Sequence, residues 1–370
     1  MSTKRATFLL PIRSTDDLHP ATLSSIKGQD QDLLDVVVLG IGCSGALPSH
    51  VNEILPGVQY LEMPAGTRTA EALNRGLHLC ETPLVAVIEP GLVLDSDWLS
   101  TLQESISDDL SVFLASGKVF LTDPGHKTTQ EGDASGSGEP GAAHAPLLEA
   151  VGIGVSELGQ SCFVGEQEPA DDSWDFPMEI FGPHPGAVLF RRRVFSLVGP
   201  FDGAYGGGAE MVDLAFRALW QGMKTRYVPT ARAYRLDDIT RAEPSLAAMK
   251  ADQFRLFFKC MPEPLLWLNG PRVLLRSLAT WNPLRFIRNL AFLLAFLRAL
   301  PGLLSRRREV LAQAQASPHY IYLKLDAADP GNLIQRLYRH AIEAFTGPLG
   351  PPNSRGTRWI GSGPWDPPEE

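Results

Sequence analysis

The chain has 370 residues, 44% hydrophobic and 20% charged, with 30 prolines, 34 glycines and a net charge of −9. This size and composition predict a globular, loop-rich protein of one large domain or two ordinary ones, and they exclude a fibrous repeat. The four cysteines lack the spacing of a zinc site, and the N-terminal apolar run FLLPI is too short for a signal peptide. We therefore expect reduced thiols in a cytoplasmic protein rather than a secreted disulfide scaffold.

The first 120 residues alternate between strand-like and helical patterns. Strands are predicted at 7–12, 35–39, 58–61 and 84–88, and helices at 20–27, 69–79 and 97–106. A second run predicts a strand at 186–190, a helix at 211–221 and a closing strand at 228–234. Strands that alternate with helices predict an α/β fold with a mostly parallel, Rossmann-type sheet flanked by helices.

The remaining segments differ in composition from this α/β part. Residues 131–146 (EGDASGSGEPGAAHAP) are of low complexity and predict a flexible insertion, whereas residues 245–316 have helical patterns. We expect an α/β domain at 1–236, a basic helical region at 237–345 and a disordered Pro/Gly tail at 346–370.

Charge is unevenly distributed along the chain. Residues 254–308 contain ten Lys or Arg against one acid, so this segment carries +9 and the rest carries −18, which argues against nucleic-acid binding. The most apolar run, Leu290–Leu297, would span about 12 Å as a helix against about 30 Å of hydrocarbon. Arg288 and Arg298 flank the run and Pro301 follows it. It predicts a core helix or a peripheral helix at the inner face of a membrane, and not a span.

A glycine motif at residues 36–45 (VVVLGIGCSG) fits the dinucleotide-binding pattern G-x-G-x-x-G, with Glu62 placed to hold a ribose. The same run resembles the first motif of S-adenosylmethionine-dependent methyltransferases. Both interpretations need a helix that begins at the glycines, but Pro48 and Pro56 limit any helix here to about two turns. A Rossmann-type NAD or S-adenosylmethionine enzyme therefore stays a remote alternative.

The triplet Asp95-Ser96-Asp97 spells D-x-D, a pattern of two carboxylates that can ligate a metal. It stands immediately before a predicted helix, where Asp and Ser are preferred as N-cap residues that accept backbone hydrogen bonds. We interpret it as a helix cap.

Together, residues 6–235 resemble a family 2 glycosyltransferase with a GT-A fold. The opening segment with Pro11 and Gln29 resembles the family's first strand and helix, and Asn74 and Gly76 match its G…A…N-x-G helix. Residues 186–234 resemble its acceptor-side block, with matches at Val198, Gly199, Phe201, Asp202, Glu210, Asp213, Leu214, Arg217, Gly222 and Pro229.

The resemblance implies inverting transfer of a hexose from a nucleotide sugar to a glycan or lipid-linked acceptor. This chemistry uses one carboxylate for the nucleotide base, a D-x-D pair that ligates Mg²⁺ or Mn²⁺ at the departing diphosphate, and one carboxylate as general base. The resemblance assigns nucleotide-sugar binding to Pro11, Gly40, Arg68, Asn74, Arg75, Glu89 and Gly91.

The sequence departs from the family at all three acidic features. Gly40 stands in place of the base-binding aspartate, Glu89-Pro90-Gly91 in place of D-x-D, and Met211 in place of the general base. Glycine has no ligand for a cation and a thioether does not accept a proton from an alcohol. The family's histidine after the closing strand is also replaced, here by Tyr234 and Arg235.

Two interpretations follow. In the first, the protein is a weakly active or metal-independent transferase, with Glu210 or Asp213 as catalytic carboxylate. An arginine (Arg68, Arg75 or one of Arg191–Arg193) then replaces the metal, and Mg²⁺ or Mn²⁺ binds only if Glu89 compensates for the missing pair. In the second, the protein is a noncatalytic scaffold that binds a glycan, a nucleotide or a partner glycosyltransferase, and the segment 254–308 holds it at a membrane surface.

Overall fold

A computed structural model describes residues 5–29, 34–43, 45, 47, 49–121, 146–236, 245–278 and 283–325. The predicted insertion at 131–146, apart from Pro146, and the predicted tail at 346–370 lie outside the described residues. The four cysteines are all buried and none of them forms a disulfide bond.

The described chain forms a mixed α/β fold around one large sheet. Its strands are β1 (Ala6–Ile12), β2 (Leu34–Ile41), β3 (Gln59–Met63), β4 (Leu84–Ile88), β5 (Leu92–Leu94), β6 (Val112–Phe120), β7 (Leu148–Ala150), β8 (Gly152–Val155), β9 (Ser161–Val164), β10 (Met178–Ile180), β11 (Ala187–Arg191) and β12 (Lys224–Arg235). The order is β10-β12-β6-β11-β4-β1-β2-β3, with β5 also paired to β12 and β7 to β6, and β8 and β9 form a separate hairpin.

Six strands of this order run in one direction, namely β1, β2, β3, β4, β6 and β12, whereas β10 and β11 run against them. The predicted α/β class with a mostly parallel sheet is therefore confirmed. The carboxyl ends of β1, β2 and β4 meet at one edge, which is where parallel α/β sheets place their ligand sites. This edge holds Pro11, Gly40 and Glu89.

Helices cover both faces of the sheet. They are α1 (Pro20–Gly28), α2 (Ser49–Ile54), α3 (Thr69–Leu79), α4 (Trp98–Asp108), α5 (Arg193–Val198), α6 (Ala209–Trp220), α7 (Leu246–Cys260), α8 (Glu263–Leu278), α9 (Pro283–Ala312) and α10 (Pro318–Leu323). Alternate residues of β1 enter different hydrophobic clusters, Leu9 on one face and Phe8 and Leu10 on the other, as the two-residue period of a strand requires.

The helix after the glycine motif begins at Ser49 and has six residues. It starts four residues beyond Gly45, so its N-terminus is not built from the glycines as a Rossmann pyrophosphate site requires.

The cap expected at Asp97 is corrected by the structure. Asp97 occupies the N-cap position of α4, but its side chain makes no capping hydrogen bond. The side chain of Gln29 takes that role, because its Oε1 accepts from the backbone N–H of Leu99 at 3.0 Å and its Nε2 donates to the carbonyl of Asp95 at 2.7 Å. The amide thereby joins the end of α1 to the start of α4.

The C-terminal helices α7 and α9 contact each other through aromatic rings, and they contact the sheet domain through ion pairs of Lys259 and Arg306. The ring of Phe254 on α7 lies 5.4 Å from that of Phe292 and 5.0 Å from that of Phe296, both on α9. The apolar run Leu290–Leu297 lies inside the 30-residue helix α9, which continues through Pro301 to Ala312. The stretch Asn289–Ala312 is long and apolar enough to span a membrane, with a mean hydropathy of 1.2, although a single such helix is weak support for a span.

Candidate functional site

The turn after β4 contains the sequence Glu89-Pro90-Gly91, which the resemblance predicts to stand in place of the metal-binding D-x-D. Its backbone is fixed on both sides, since the N–H of Glu89 donates to the carbonyl of Gly186 at 2.7 Å and the N–H of Leu236 donates to the carbonyl of Gly91 at 2.8 Å. Gly91 has φ +78°, a left-handed conformation that disfavours any residue with a side chain. The carboxylate of Glu89 is the one acidic side chain of this turn.

Arg235, at the end of β12, binds this turn with its guanidinium. Its Nη2 lies 3.1 Å from Oε2 of Glu89 and its Nη1 lies 3.3 Å from the carbonyl of Pro90. The same side chain makes a bidentate pair with Glu149, with Nε at 2.9 Å and Nη2 at 2.7 Å from the two carboxylate oxygens. A buried cation therefore lies against the turn that contains Glu89.

Glu149 and His184 complete this buried charge cluster. Burial by itself would raise the pKa of Glu149, but His184 and Arg235 outweigh it and hold the pKa well below its usual range. His184 is fully buried, and its Nδ1 accepts from the N–H of Gly186 at 3.1 Å. Its Nε2 lies 3.7 Å from Oε1 of Glu149. Glu89, Glu149, His184 and Arg235 are called the turn cluster below.

The turn cluster does not fit a divalent cation. Mg²⁺ and Mn²⁺ require several oxygen ligands, whereas Glu89 already pairs with a guanidinium and Gly91 offers no side chain. In the part of the chain that is described, no group of three or more His, Cys, Asp or Glu side chains is arranged to hold a metal ion. We derive no catalytic step through a metal here.

Gly40, which the resemblance predicts at the position of the base-binding aspartate, is covered by an aromatic ring. A Cβ built on Gly40 would lie 2.7 Å from Cε2 of Tyr60, a residue of the neighbouring strand β3. The hydroxyl of Tyr60 donates to the carbonyl of Cys43 at 3.3 Å, which keeps the ring over the glycine. Gly40 therefore permits Tyr60 to fill the space in which a carboxylate would stand.

Gly40→Ala is expected to lower the free energy of unfolding by about 1–3 kcal/mol, because the added methyl group overlaps the Tyr60 ring. In a Tyr60→Ala background the same substitution should cost much less, since the ring is gone. Urea unfolding of the single and double variants measures this coupling. Gly28→Ala is the matched control, because nothing lies within 4 Å of the added Cβ, and equal costs in both backgrounds would refute the packing role.

Met211, which the resemblance predicts at the general-base position, is buried in the main hydrophobic cluster. Glu210 precedes it in the first turn of α6 and is 3% exposed, and its Oε2 accepts from the N–H of Gly208 at 3.1 Å. This contact places the Glu210 carboxylate at the helix N-terminus, where a negative charge is stabilised.

Asp213 lies one turn further along α6, in a buried ion network. Its carboxylate lies 2.8 Å from Nε of Arg217 and 2.6 Å from Nζ of Lys259 on α7. Lys259 also binds Asp202 at 2.8 Å, which outweighs the effect of burial and lowers the pKa of Asp202 to about 2. Oδ1 of Asp213 thus joins α6 to α7 through Lys259, whereas Oδ2 binds Arg217 within α6.

The predicted nucleotide-sugar residues are distributed over two regions. Pro11 lies near the carboxyl end of β1, at the sheet edge that also holds Gly40 and Glu89. Arg68 donates to the carbonyl of Gly203 at 2.8 Å, and the amide of Asn74 makes two hydrogen bonds with the backbone of Phe201.

Of the other arginines considered as metal substitutes, Arg193 is exposed at the start of α5, and the remaining three have partners away from the turn cluster. Arg75 pairs with Glu71 at 2.7 Å on the exposed side of α3. Arg191 donates to the carbonyl of Val112 at 2.8 Å, and Arg192 donates to the carbonyl of Cys80 at 2.9 Å.

A cavity of about 360 Å³ lies apart from the turn cluster, between the segment 198–203, the end of α6 and α9. Its charged lining residues are Asp202, Arg217, Lys259, Arg306 and Glu309. The cavity borders the ion network that joins the helices, and none of its lining residues belongs to the turn cluster.

Sequence analysis missed three residues of this region. Tyr60 covers Gly40, Glu149 pairs with Arg235, and His184 lies beside Glu149. Tyr60 comes 20 residues after Gly40, and Glu149 comes 60 residues after Glu89. The members of each pair come together because of the order of the strands in the sheet, which the sequence does not show. Arg235 did carry a signal, because it stands close to the position of the family's histidine.

Comparison with known proteins identifies the fold. No protein-family model matches the sequence, and a search of curated proteins gives no match. The structure is similar to GalNAc-T7, solved with UDP, GalNAc and Mn²⁺, at a TM-score of 0.52 and 14% identity over 74% of this chain and 51% of that chain. The mannosyltransferase PcManGT from Pyrobaculum calidifontis, solved with GDP-Man and Mn²⁺, has a TM-score of 0.43 and 16% identity over 94% of this chain and 83% of that chain.

The chain therefore has a GT-A-like glycosyltransferase fold. It spans about half the length of GalNAc-T7.

Proposed function

We propose that this protein is a family 2-type GT-A protein that has lost metal-dependent sugar transfer and acts as a noncatalytic binding partner of an active glycosyltransferase. The observation that carries the proposal is the guanidinium of Arg235, which binds Glu89 and the carbonyl of Pro90 at the turn that stands for D-x-D. The loss of carboxylates at Gly40 and Met211 agrees with it.

The retained function under this proposal is recognition. A GT-A sheet edge that no longer holds a metal can still bind a nucleotide or a sugar through its backbone groups, and GalNAc-T7, which has a similar fold, was solved with UDP and GalNAc. The preformed surface of the fold then binds the ligand or the partner enzyme, and no substrate is turned over. We place the protein in the cytoplasm, next to the enzyme that performs the transfer.

Enzyme assays with a panel of UDP- and GDP-sugars test this proposal. Hydrolysis and transfer are expected to stay at the level of the protein-free blank, with Mn²⁺ and with EDTA. Material purified with the full chain from its native cells should contain glycosyltransferase activity, and Glu210→Gln should leave that association unchanged.

One second function is favoured by a specific contact. Because Arg235 supplies a positive charge at the turn, it can stabilise a departing diphosphate without metal, with Glu210 as the general base. EDTA-resistant turnover that is abolished by Glu210→Gln and retained by Glu104→Gln, an exposed glutamate on α4, would establish this metal-independent transferase and contradict the noncatalytic proposal.

A further inference from the structure

The exposed apolar side chains of the protein are concentrated on two helices. Fourteen large hydrophobic side chains are exposed in the described part of the chain, and seven of them belong to α8 and α9. These seven, called the α8–α9 face, are Trp267, Leu275, Phe286, Ile287, Leu290, Leu294 and Leu297. A concentration of this kind on a monomer marks a binding surface.

Helical spacing places these residues in stripes. Leu290, Leu294 and Leu297 follow each other at intervals of four and three residues along α9, so they share one side of the helix. Trp267 and Leu275 lie two turns apart on α8, with the exposed Pro271 between them. Trp267 has the largest exposure of the seven, at 76%.

The opposite side of α9 packs on the protein. Phe292 and Phe296 contact the ring of Phe254, and further along Nη1 of Arg307 donates to the carbonyl of Met261 at 2.6 Å. A helix held along its length in this way lies beside the folded domain. The geometry therefore favours a helix on a membrane surface over a helix that crosses the bilayer.

The positive charge of the same segment favours an anionic partner. Residues 264–308 contain eight arginines and no Asp or Glu, in a chain whose net charge is −9. Arg298, which follows the stripe directly, is exposed. Two copies of this surface would bring arginines against arginines, whereas lipid phosphates would neutralise them.

We propose that the α8–α9 face binds the surface of an anionic lipid bilayer, with its apolar side chains in the headgroup region and the exposed Arg298 and Arg308 of α9 on lipid phosphates. This inference is independent of the proposed function, because it uses none of the residues of the turn cluster. It gives the protein a fixed orientation on the membrane.

Vesicle flotation with the full chain tests the proposal. Vesicles of phosphatidylcholine with about 30 mol% phosphatidylglycerol should bind the protein, vesicles of phosphatidylcholine alone should bind it much less, and raising the salt should release it. The combined variant Leu290→Gln, Leu294→Gln and Leu297→Gln should bind at least about tenfold more weakly. Leu110→Gln removes an exposed leucine elsewhere and should bind like the wild type.

A second variant, which removes one positive charge, tests vesicle binding independently of whether the triple leucine variant folds. Arg298→Gln should weaken binding about fivefold, from about 1 kcal/mol per basic residue near the surface, and Lys27→Gln, an exposed lysine at the end of α1, should not. The proposal is overturned if anionic vesicles do not bind the wild type, or if the leucine and arginine variants bind as well as their controls. A wild-type dimer that only the triple variant dissociates would also overturn it.

Discussion

Asp213→Asn is expected to lower the free energy of unfolding by about 3 kcal/mol or more, because it removes the shared anion between two buried cations. Asp213 is fully buried and lies 2.8 Å from Arg217 and 2.6 Å from Lys259. Lys259 keeps Asp202 as a partner, which places the cost at the lower end of the range for broken buried pairs. Urea unfolding of the full chain gives the value.

The matched control is Asp97→Asn, an exposed aspartate whose side chain makes no capping hydrogen bond. It should change stability by no more than about 0.5 kcal/mol. If Asp213→Asn is as stable as this control, the carboxylate does not hold α6 to α7, and a role in catalysis becomes the better explanation of its position.

Arg235→Met is expected to cost about 3–5 kcal/mol, because it leaves the carboxylates of Glu149 and Glu89 without their cation. Arg235 is 8% exposed, and Glu149 has the same low exposure. Arg75→Met is the matched control, since Arg75 forms an exposed pair with Glu71, and such pairs contribute about 0–1 kcal/mol.

A double-mutant cycle separates the ion pair from the loss of packing. Glu149→Gln removes the negative charge that Arg235 neutralises, so adding it to Arg235→Met should recover part of the lost stability. Strictly additive effects of the two substitutions would show that the guanidinium does not stabilise the turn through Glu149.

The spacing of hydrophobic residues predicted the strands and helices that are long enough to show a repeated apolar pattern. The strands at 84–88 and 186–190 and the helix at 69–79 fall within one residue of β4, β11 and α3. The five strands β5, β7, β8, β9 and β10 have only three or four residues each, which is too short for a periodic pattern. The strand β6 was missed because Ser116 and Lys118 interrupt its apolar run, and both are buried.

The sequence was enough to predict that the candidate site lacks the expected carboxylates. It was not enough to predict which side chains lie at those positions. Glycine at 40 and 91 and methionine at 211 are visible in the sequence at positions where the resemblance predicts carboxylates. The replacements are contacts between distant segments, such as Tyr60 over Gly40 and Arg235 against Glu89. Register and sheet order determine such contacts, and a single sequence does not contain them.

The central claim is that the turn cluster has replaced the metal site, and nucleotide binding with and without Mn²⁺ tests it most directly. Melting temperature is measured against UDP, GDP and their sugars, each with Mn²⁺ and with EDTA, with GalNAc-T7 as the positive control; a ligand at 100 times its Kd adds about 2.7 kcal/mol. The account predicts that Mn²⁺ adds nothing to any shift that a nucleotide produces. A shift that one nucleotide gives with Mn²⁺ and loses with EDTA would contradict it and restore a metal-dependent transferase.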